Sequence, residues 1–310
     1  LNKDEAGIYK LIDTLKTVPK FKTYYNLVSI LESGYIELDR QNIDIGDVYS
    51  IFGYNQAEGN RLRAGARTFR GQNDLWRLEG YVAYGFSDKK FKHGFFAQAI
   101  LDPKIRLLIS GGHRRDIEQL GLSLTATNDL MGRSIASSSV FTVGNNDKLS
   151  QINLTAFTLS AEPVKNLTMS LGASYRRVQA ALPELFPLDF VYEPTILGSK
   201  NSLNQLDFTA RMLYTPGRKV IGYGVDPKPV NEDYPSLMVQ YIHGQKNLLD
   251  SDFNFNRVQL SYTRPWQIGG IGTLRTSIEA GRTFDPLPLA LLHVVPGNQT
   301  LFTIYNTFPN

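Results

Sequence analysis

The sequence contains no cysteine among its 310 residues, which excludes disulfide bonds, thiol nucleophiles and zinc–thiolate sites. It also lacks the roughly 18 to 20 consecutive apolar residues that a membrane-spanning helix requires. The longest apolar run, LPLALLHVVP from Leu287, is short and contains prolines. Runs of like charge are missing as well, and the net charge of +4 is spread along the chain, so we expect no nucleic-acid binding. The chain therefore either stays outside membranes or crosses them as strands.

Motifs for catalysis or metal binding are equally scarce. No two of the four histidines have the spacing of metal ligands: His93, His113, His243 and His293. There is no GxSxG nucleophile motif, and the glycine-containing pieces GGHRR, QIGGIG and PGRKVIGYG lack phosphate-loop spacing. We therefore predict a protein that is not an enzyme, with no catalytic residue, cofactor or metal. A lipid-modifying barrel enzyme, whose site needs no local motif, is the minor alternative.

The dominant pattern is an alternation of polar and apolar residues, first seen between Tyr54 and Leu101. Arg61, Arg63 and Arg67 fall on one side of an extended segment, because successive strand side chains point to opposite faces. The other side carries Leu62, Ala64, Ala66 and Thr68. The next segment separates Arg77 and Glu79 from Trp76, Leu78, Val82, Tyr84 and Phe86. Each strand thus needs one apolar and one hydrated surface, as in a soluble sandwich or a membrane barrel.

The same alternation recurs along the rest of the chain. It is clearest in residues 167–176 and is repeated in residues 205–214, 257–263 and 274–280. Two further strands are predicted, one from Ile105 and one near residues 135–143, after a Gly- and Ser-rich loop at 125–139. The total is about twelve candidate strands of roughly 9 to 11 residues, a length that crosses a bilayer at a steep tilt.

The connections between these strands sort by length. Residues 87–90, 162–166 and 265–270 predict tight turns, whereas residues 180–204 and 216–235 predict long loops. Short turns on one rim and long loops on the other are typical of outer-membrane barrels.

The N-terminal residues 1–33 predict two helices. Asn2 and Glu5 resemble a capping box before a first apolar stripe, and Pro19 ends that helix or starts the second. Tyr24, Leu27, Val28 and Leu31 form the second stripe, which Gly34 closes at a C′ position. We interpret both helices as packing on a neighbouring surface, with a membrane-surface anchor as the alternative. Residues 35–53 predict a short strand pair or a connector.

The polar face is rich in arginine and also carries acidic and small residues, which favours a crowded, hydrated lumen over a surface facing bulk water. The candidate luminal charges are Arg61, Arg63, Arg67, Arg77, Glu79, Asp207, Arg211, Arg275 and Glu279. The arginine rows, including Arg114 and Arg115, have three interpretations. The first is an anion-selective stripe, and the second is a structural network that holds an inward-folded loop. The third is a solvated face near a rim.

Several phrases together carry a resemblance: EAGIYKLIDTL, ESGYIELDRQNIDIG, YNQAEGNRLRAGART, LEGYVAYGFSDKKFKHG, LPLALLHVVPGNQT and the terminal IYNTF. The chain resembles a Bacteroidota outer-membrane β-barrel family of unknown function, described as carboxypeptidase-regulatory-like domain proteins. Its barrel part is distantly similar to the BamA-type superfamily. The resemblance implies a β-sandwich before residue 1, helices, and a barrel that continues beyond Asn310. It also suggests that the loop at residues 286–300 folds into the lumen, the alternative being contact with a partner protein.

From pattern and resemblance we predict an all-β transmembrane outer-membrane barrel of 12 or more antiparallel strands, about 16 in the full protein. A periplasmic helical segment and connector (residues 1–47) precedes the barrel (residues 48–310). The predicted function is non-enzymatic, in envelope biogenesis or protein export as part of a larger complex. The alternative is a passive, porin-like channel with an arginine-rich lumen. The expected partners are outer-membrane lipid and other outer-membrane or periplasmic proteins, in a Gram-negative bacterium.

Overall fold

A computed structural model describes residue 15 and residues 17–38, 41–68, 73–120, 148–188, 190–192 and 197–292. The predicted first helix, the strand near 135–143 with its Gly- and Ser-rich loop, and the end of the loop at 286–300 lie outside these residues. Within them, no helix is long and apolar enough to cross a membrane.

The second predicted helix is present as α1, Pro19–Ser33. Pro19 occupies the first turn, where its missing N–H has no intrahelical partner to lose. Gly34 ends the helix with a φ of 72°, and its N–H donates to the carbonyl of Ile30 at 2.8 Å. No residue of α1 is buried, and its apolar stripe, including Leu27 and Leu31, is exposed. Packing of this helix on a neighbour is therefore not seen among the described residues.

Apart from the short 3-10 helices Val48–Ser50, Leu248–Asp250, Gly269–Ile271 and Leu289–Leu291, the other regular elements of the described chain are antiparallel strands. They are β1 Tyr35–Leu38, β2 Ile43–Gly46, β3 Phe52–Asn55, β4 Gly59–Thr68, β5 Trp76–Gly85, β6 Phe91–Asp102, β7 Leu107–Gln119, β8 Leu149–Val164, β9 Leu167–Ala180, β10 Phe190–Tyr192, β11 Leu197–Lys200, β12 Ser202–Tyr214, β13 Val220–Ile221, β14 Lys228–Pro229, β15 Ser236–Gln245, β16 Phe255–Ile268 and β17 Gly272–Thr283. One 13-stranded sheet has the order β1-β2-β4-β5-β6-β7-β8-β9-β12-β15-β16-β17, with β3 beside β4.

The sheet is all antiparallel, as predicted, but it is open between β1 and β17 among the described residues. The predicted closure into a barrel is not seen there. The sheet also includes β1 and β2 and so starts at Tyr35, while the domain division at residue 48 stays a prediction. Of the ten long strands, three have 10 residues, within the predicted length, and seven have 12 to 16 residues and exceed it.

Two predicted strand boundaries are wrong for local reasons. Arg106 lies in a turn with a φ of 47°, not in a strand, because the Asp102 carboxylate accepts the N–H of Lys104 at 2.8 Å and starts the turn. Pro265 lies inside β16 rather than in a turn. It is tolerated because β15 stops opposite Thr263, so one edge of β16 has no ladder partner beyond that point.

The predicted separation of short turns from long loops is only partly correct. We name the end of the sheet that holds residues 86–90 the upper rim and the opposite end the lower rim. Strand alternation places the long connection 181–201 at the upper rim together with the tight turn 86–90. It places the long connection 215–235 at the lower rim together with the two-residue turn 165–166. Each rim therefore carries both short turns and long loops. The two long loops contain the small hairpins β10–β11 and β13–β14.

The two faces of the sheet have inverted polarity. In β4, Arg61 is 2% exposed whereas its neighbour Leu62 is 48% exposed. In β9, Arg176 is buried and Leu171 is exposed. We call the buried, polar side the inner face and the exposed, apolar side the outer face. The predicted division of residues between faces is thus confirmed. The apolar face is the exposed face of the sheet.

Candidate functional site

The inner face near the upper rim holds a group of paired charges, the Arg61 cluster, made of Glu58, Arg61, Tyr81, Lys92 and Asp116. The Arg61 guanidinium donates to both Asp116 carboxylate oxygens, at 2.6 and 3.1 Å, and to Glu58 Oε2 at 3.0 Å. Lys92 Nζ lies 2.8 Å from Glu58 Oε1, and the Tyr81 hydroxyl donates to Asp116 Oδ2. All five side chains are buried. The bidentate geometry is the one in which arginine binds carboxylate most strongly.

This cluster requires a curled sheet. Arg61 lies on β4 and Asp116 on β7, with β5 and β6 between them. In a flat sheet the two strands are about 14 Å apart, and side chains stand roughly perpendicular to the sheet. Contact between the two charged groups therefore means that the sheet bends toward its inner face.

The two other arginines of β4 contact N-terminal residues on the inner face of the sheet. Arg67 Nε donates to Asp44 of β2 at 3.1 Å, and its guanidinium lies 3.1 Å from the ring centroid of Tyr35. Arg63 donates to the Ser50 hydroxyl and lies over the Tyr81 ring. Both guanidinium groups are buried and have a partner within the described residues, but these partners, Asp44 and Ser50, do not belong to the loop at residues 286–300.

A second polar group, centred on Asp207, lies across the inner face on β9, β12 and β16. Arg176 Nη2 is 3.2 Å from Asp207 Oδ2. Arg257 donates from Nε to Thr283 Oγ1 at 3.0 Å and from Nη2 to the carbonyl of Leu291. This group is less fully paired than the Arg61 cluster, since Asp207 Oδ1 and Arg176 Nη1 have no hydrogen-bond partner among the described residues.

An apolar plug fills the inner face beside this second group. Ala290 and Leu291, from the start of the loop at residues 286–300, are buried against Ile152, Leu203 and Phe255 of three different strands. The described part of this loop therefore folds inward, as the resemblance suggested, rather than outward toward a partner.

The long connection at the lower rim forms a strap across the inner side of the sheet. Arg218 donates to Glu162 of β8 at 3.1 Å, and Asp226 accepts from Arg77 of β5 at 2.9 Å. The carbonyl of Gly224 accepts from Arg106 at 3.1 Å, in the turn between β6 and β7. The strap therefore ties together strands that are not neighbours in the sheet.

The predicted luminal charges do not form one site. Arg61, Arg63, Arg67 and Asp207 are buried on the inner face, the first three in the β2–β7 part and Asp207 in the β9–β16 part. Arg77 pairs with the strap, and Glu79 and Arg211 are half-buried. Arg275 and Glu279 lie exposed on β17, whose two faces are both open because it is the last strand of the described sheet. The row Arg114–Arg115 splits, with Arg114 inside and Arg115 outside.

Sequence reasoning missed Glu58, Lys92 and Asp116 as inner-face residues, whereas the alternation had placed Arg257 on the polar face. A signal existed for Asp116, because Arg114, Asp116 and Glu118 repeat at period 2 and so share a face. Glu58 lies in a turn and Lys92 within an aromatic segment, where the alternation gives no indication of a charged partner.

The histidines form no metal site in the described part of the chain, which contains no grouping of three or more His, Cys, Asp or Glu suited to a metal. Two of them are nevertheless adjacent on the outer face. The rings of His93 and His113 have centroids 5.6 Å apart, and His113 Nδ1 lies 2.9 Å from Thr155 Oγ1. The sequence spacing did not predict this contact.

The described residues thus define an all-β protein, a curled antiparallel sheet that is apolar outside and carries paired charges inside. The chain belongs to the family of unknown function DUF5686, whose C-terminal domain matches residues 29–308. A search of curated proteins gives no match. The predicted membership in a family of unknown function is confirmed, whereas the bacterial group and the BamA-type similarity stay predictions.

Proposed function

We propose that the sheet closes into a β-barrel that spans the outer membrane, with its outer face in hydrocarbon. The observation that carries this proposal is the inverted polarity of the sheet. A water-soluble protein buries apolar side chains and exposes charges, and a large exposed apolar surface marks contact with a membrane or a partner. Here the apolar residues are exposed on strand after strand, while arginine, aspartate and glutamate are buried on the opposite face.

The height of the apolar surface supports a bilayer as its environment. On β16 the outer face is apolar or aromatic at most positions from Val258 to Ile268, and several of these side chains are exposed. Ten residue steps of about 3.3 Å give about 33 Å along the strand. At the tilt of about 40° that barrels adopt, this corresponds to a band about 25 Å tall, the height of the apolar band of outer-membrane barrels.

Within the membrane we propose a non-enzymatic role in envelope biogenesis or protein export, as part of a larger complex. The filled interior supports this role over that of a passive channel, because the plug and the Arg61 cluster occupy the inner face and the strap crosses the lower rim. The mechanism is exchange of strand edges. β17 has one neighbour in the described sheet, and an unpaired strand edge provides a template for an incoming strand.

Membrane insertion is tested by the two tryptophans of the chain. Trp76 and Trp266 are 56% and 44% exposed on the outer face near the lower rim. We expect lipids brominated near the head group to quench the tryptophan fluorescence of the reconstituted full chain more strongly than lipids brominated near the chain ends. If neither brominated lipid quenches the fluorescence, insertion is contradicted. The variants Trp76→Phe and Trp266→Phe each leave one tryptophan and so separate the two fluorescence signals.

The channel alternative is tested by planar-bilayer recording. We expect the full chain to give no steady conductance, because its inner arginines are paired and its interior is filled. A steady anion-selective current that falls in Arg61→Gln and Arg63→Gln variants would instead establish a channel. Lys89→Gln, in an exposed turn at the upper rim, is the control for loss of one positive charge.

A further inference from the structure

The outer face carries one row of polar side chains at the upper edge of the apolar band. His93, Arg115, Asn153 and Arg177 lie directly opposite one another on the consecutive strands β6, β7, β8 and β9. All four are exposed on the outer face. We call them the Arg115 row. His113 lies on β7, two residues from Arg115 toward the lower rim. Its ring centroid is 5.6 Å from that of His93.

The row lies at a boundary between two environments. Toward the lower rim the outer face is apolar and open, with Phe95, Phe157 and Leu171 exposed. Toward the upper rim, Ile117 of β7 and Leu149 of β8 are buried and pack with Ala57, Ala181 and Leu182. On β7 and β8 the row is therefore the level at which the exposed apolar surface ends, whereas on β6 Phe91, beyond the row, is still exposed.

Within the described part of the chain, the two arginines of the row are left without a charged partner. Neither the Arg115 nor the Arg177 guanidinium has an ion pair or hydrogen bond to another described residue, in contrast to the paired arginines of the inner face. They are two strands apart, so about 10 Å separates their backbones. Guanidinium groups bind phosphate oxygens bidentately, and two cations beside an apolar surface match an anionic group that carries acyl chains.

We propose that the Arg115 row binds the phosphate-bearing head group of an anionic membrane lipid, whose acyl chains lie on Phe95 and Phe157. This inference rests on the proposed membrane insertion and adds a lipid site to it. A lipid fits better than a free anion because the row directly borders the apolar band, and only a lipid occupies both surfaces at once. Positive residues at a membrane surface attract anionic lipids in this way.

The test measures lipid retention by the full chain in detergent. Native mass spectrometry compares phosphatidylglycerol with the zwitterionic phosphatidylcholine for the parent and for the double variant Arg115→Gln/Arg177→Gln. We expect the preference for phosphatidylglycerol to fall roughly 25-fold, since each basic residue near an anionic surface contributes about fivefold. Each single variant is expected to lose about fivefold. Lys90→Gln/Lys246→Gln removes the same charge from exposed upper-rim positions outside the row and is expected to keep the preference.

Retention of the preference by the double variant would overturn the proposal, and so would an equal loss in the Lys90/Lys246 control. Inorganic phosphate provides a separate arm. If it displaces phosphatidylglycerol and binds as tightly, the row is a site for free anions rather than for a lipid. Tryptophan quenching by brominated lipids in the same double variant shows whether insertion persists, so failure of the lipid site is distinguishable from failure of the proposed function.

Discussion

Replacing Arg61 with alanine is expected to lower the free energy of unfolding by about 3 to 5 kcal/mol. Arg61 is 2% exposed and neutralises both Glu58 and Asp116, so its removal leaves two buried carboxylates with too few positive partners. Such a loss exceeds the effect of most single substitutions, because an unpaired buried charge retains its full desolvation penalty. The measurement is urea unfolding of the full chain in detergent micelles, followed by tryptophan fluorescence.

The neighbouring position supplies the control for this prediction. Leu62→Ala alters the outer face of the same strand and is expected to change the free energy of unfolding by less than about 1 kcal/mol. Adding Asp116→Asn to Arg61→Ala is expected to restore part of the loss, because it removes one of the uncompensated charges. If Arg61→Ala and Leu62→Ala destabilise equally, the Arg61 cluster does not stabilise the fold as described.

Replacing Leu171 with arginine is expected to destabilise the membrane-inserted protein by about 2 to 4 kcal/mol. Leu171 is 66% exposed in the middle of the apolar band. If water covers this face, an added arginine is harmless and improves solubility. If hydrocarbon covers it, the charge must be desolvated or drawn to the interface. Reversible unfolding from lipid vesicles in denaturant measures the difference.

A leucine of matched exposure outside the band provides the comparison. Leu185 is 65% exposed in the upper-rim connection, and Leu185→Arg is expected to stay within about 0.5 kcal/mol of the parent. Equal and small effects at Leu171 and Leu185, together with a chain that folds in plain buffer, would show that the sheet is water-soluble. The proposed barrel and its role in the envelope would then both be wrong.

The local pattern determined more of the fold than of the site. Alternation alone separated Arg63 from Leu62, because a strand places successive side chains on opposite faces whatever its partners are. The end of α1 at Gly34 was equally predictable, since a left-handed C′ residue favours glycine over any other. These features depend only on residues near one another in the chain, and they held in the structure.

The pairing of charges was decided by the tertiary structure. Arg61 and Asp116 are 55 positions apart and meet because the sheet curls across two intervening strands. The tolerance of Pro265 within β16 likewise depends on where β15 ends. Which face a residue occupies is set by the geometry of its own strand, so the sequence by itself determined it. Which partner a residue meets depends on strand order and curvature, and these arise only when distant segments pair.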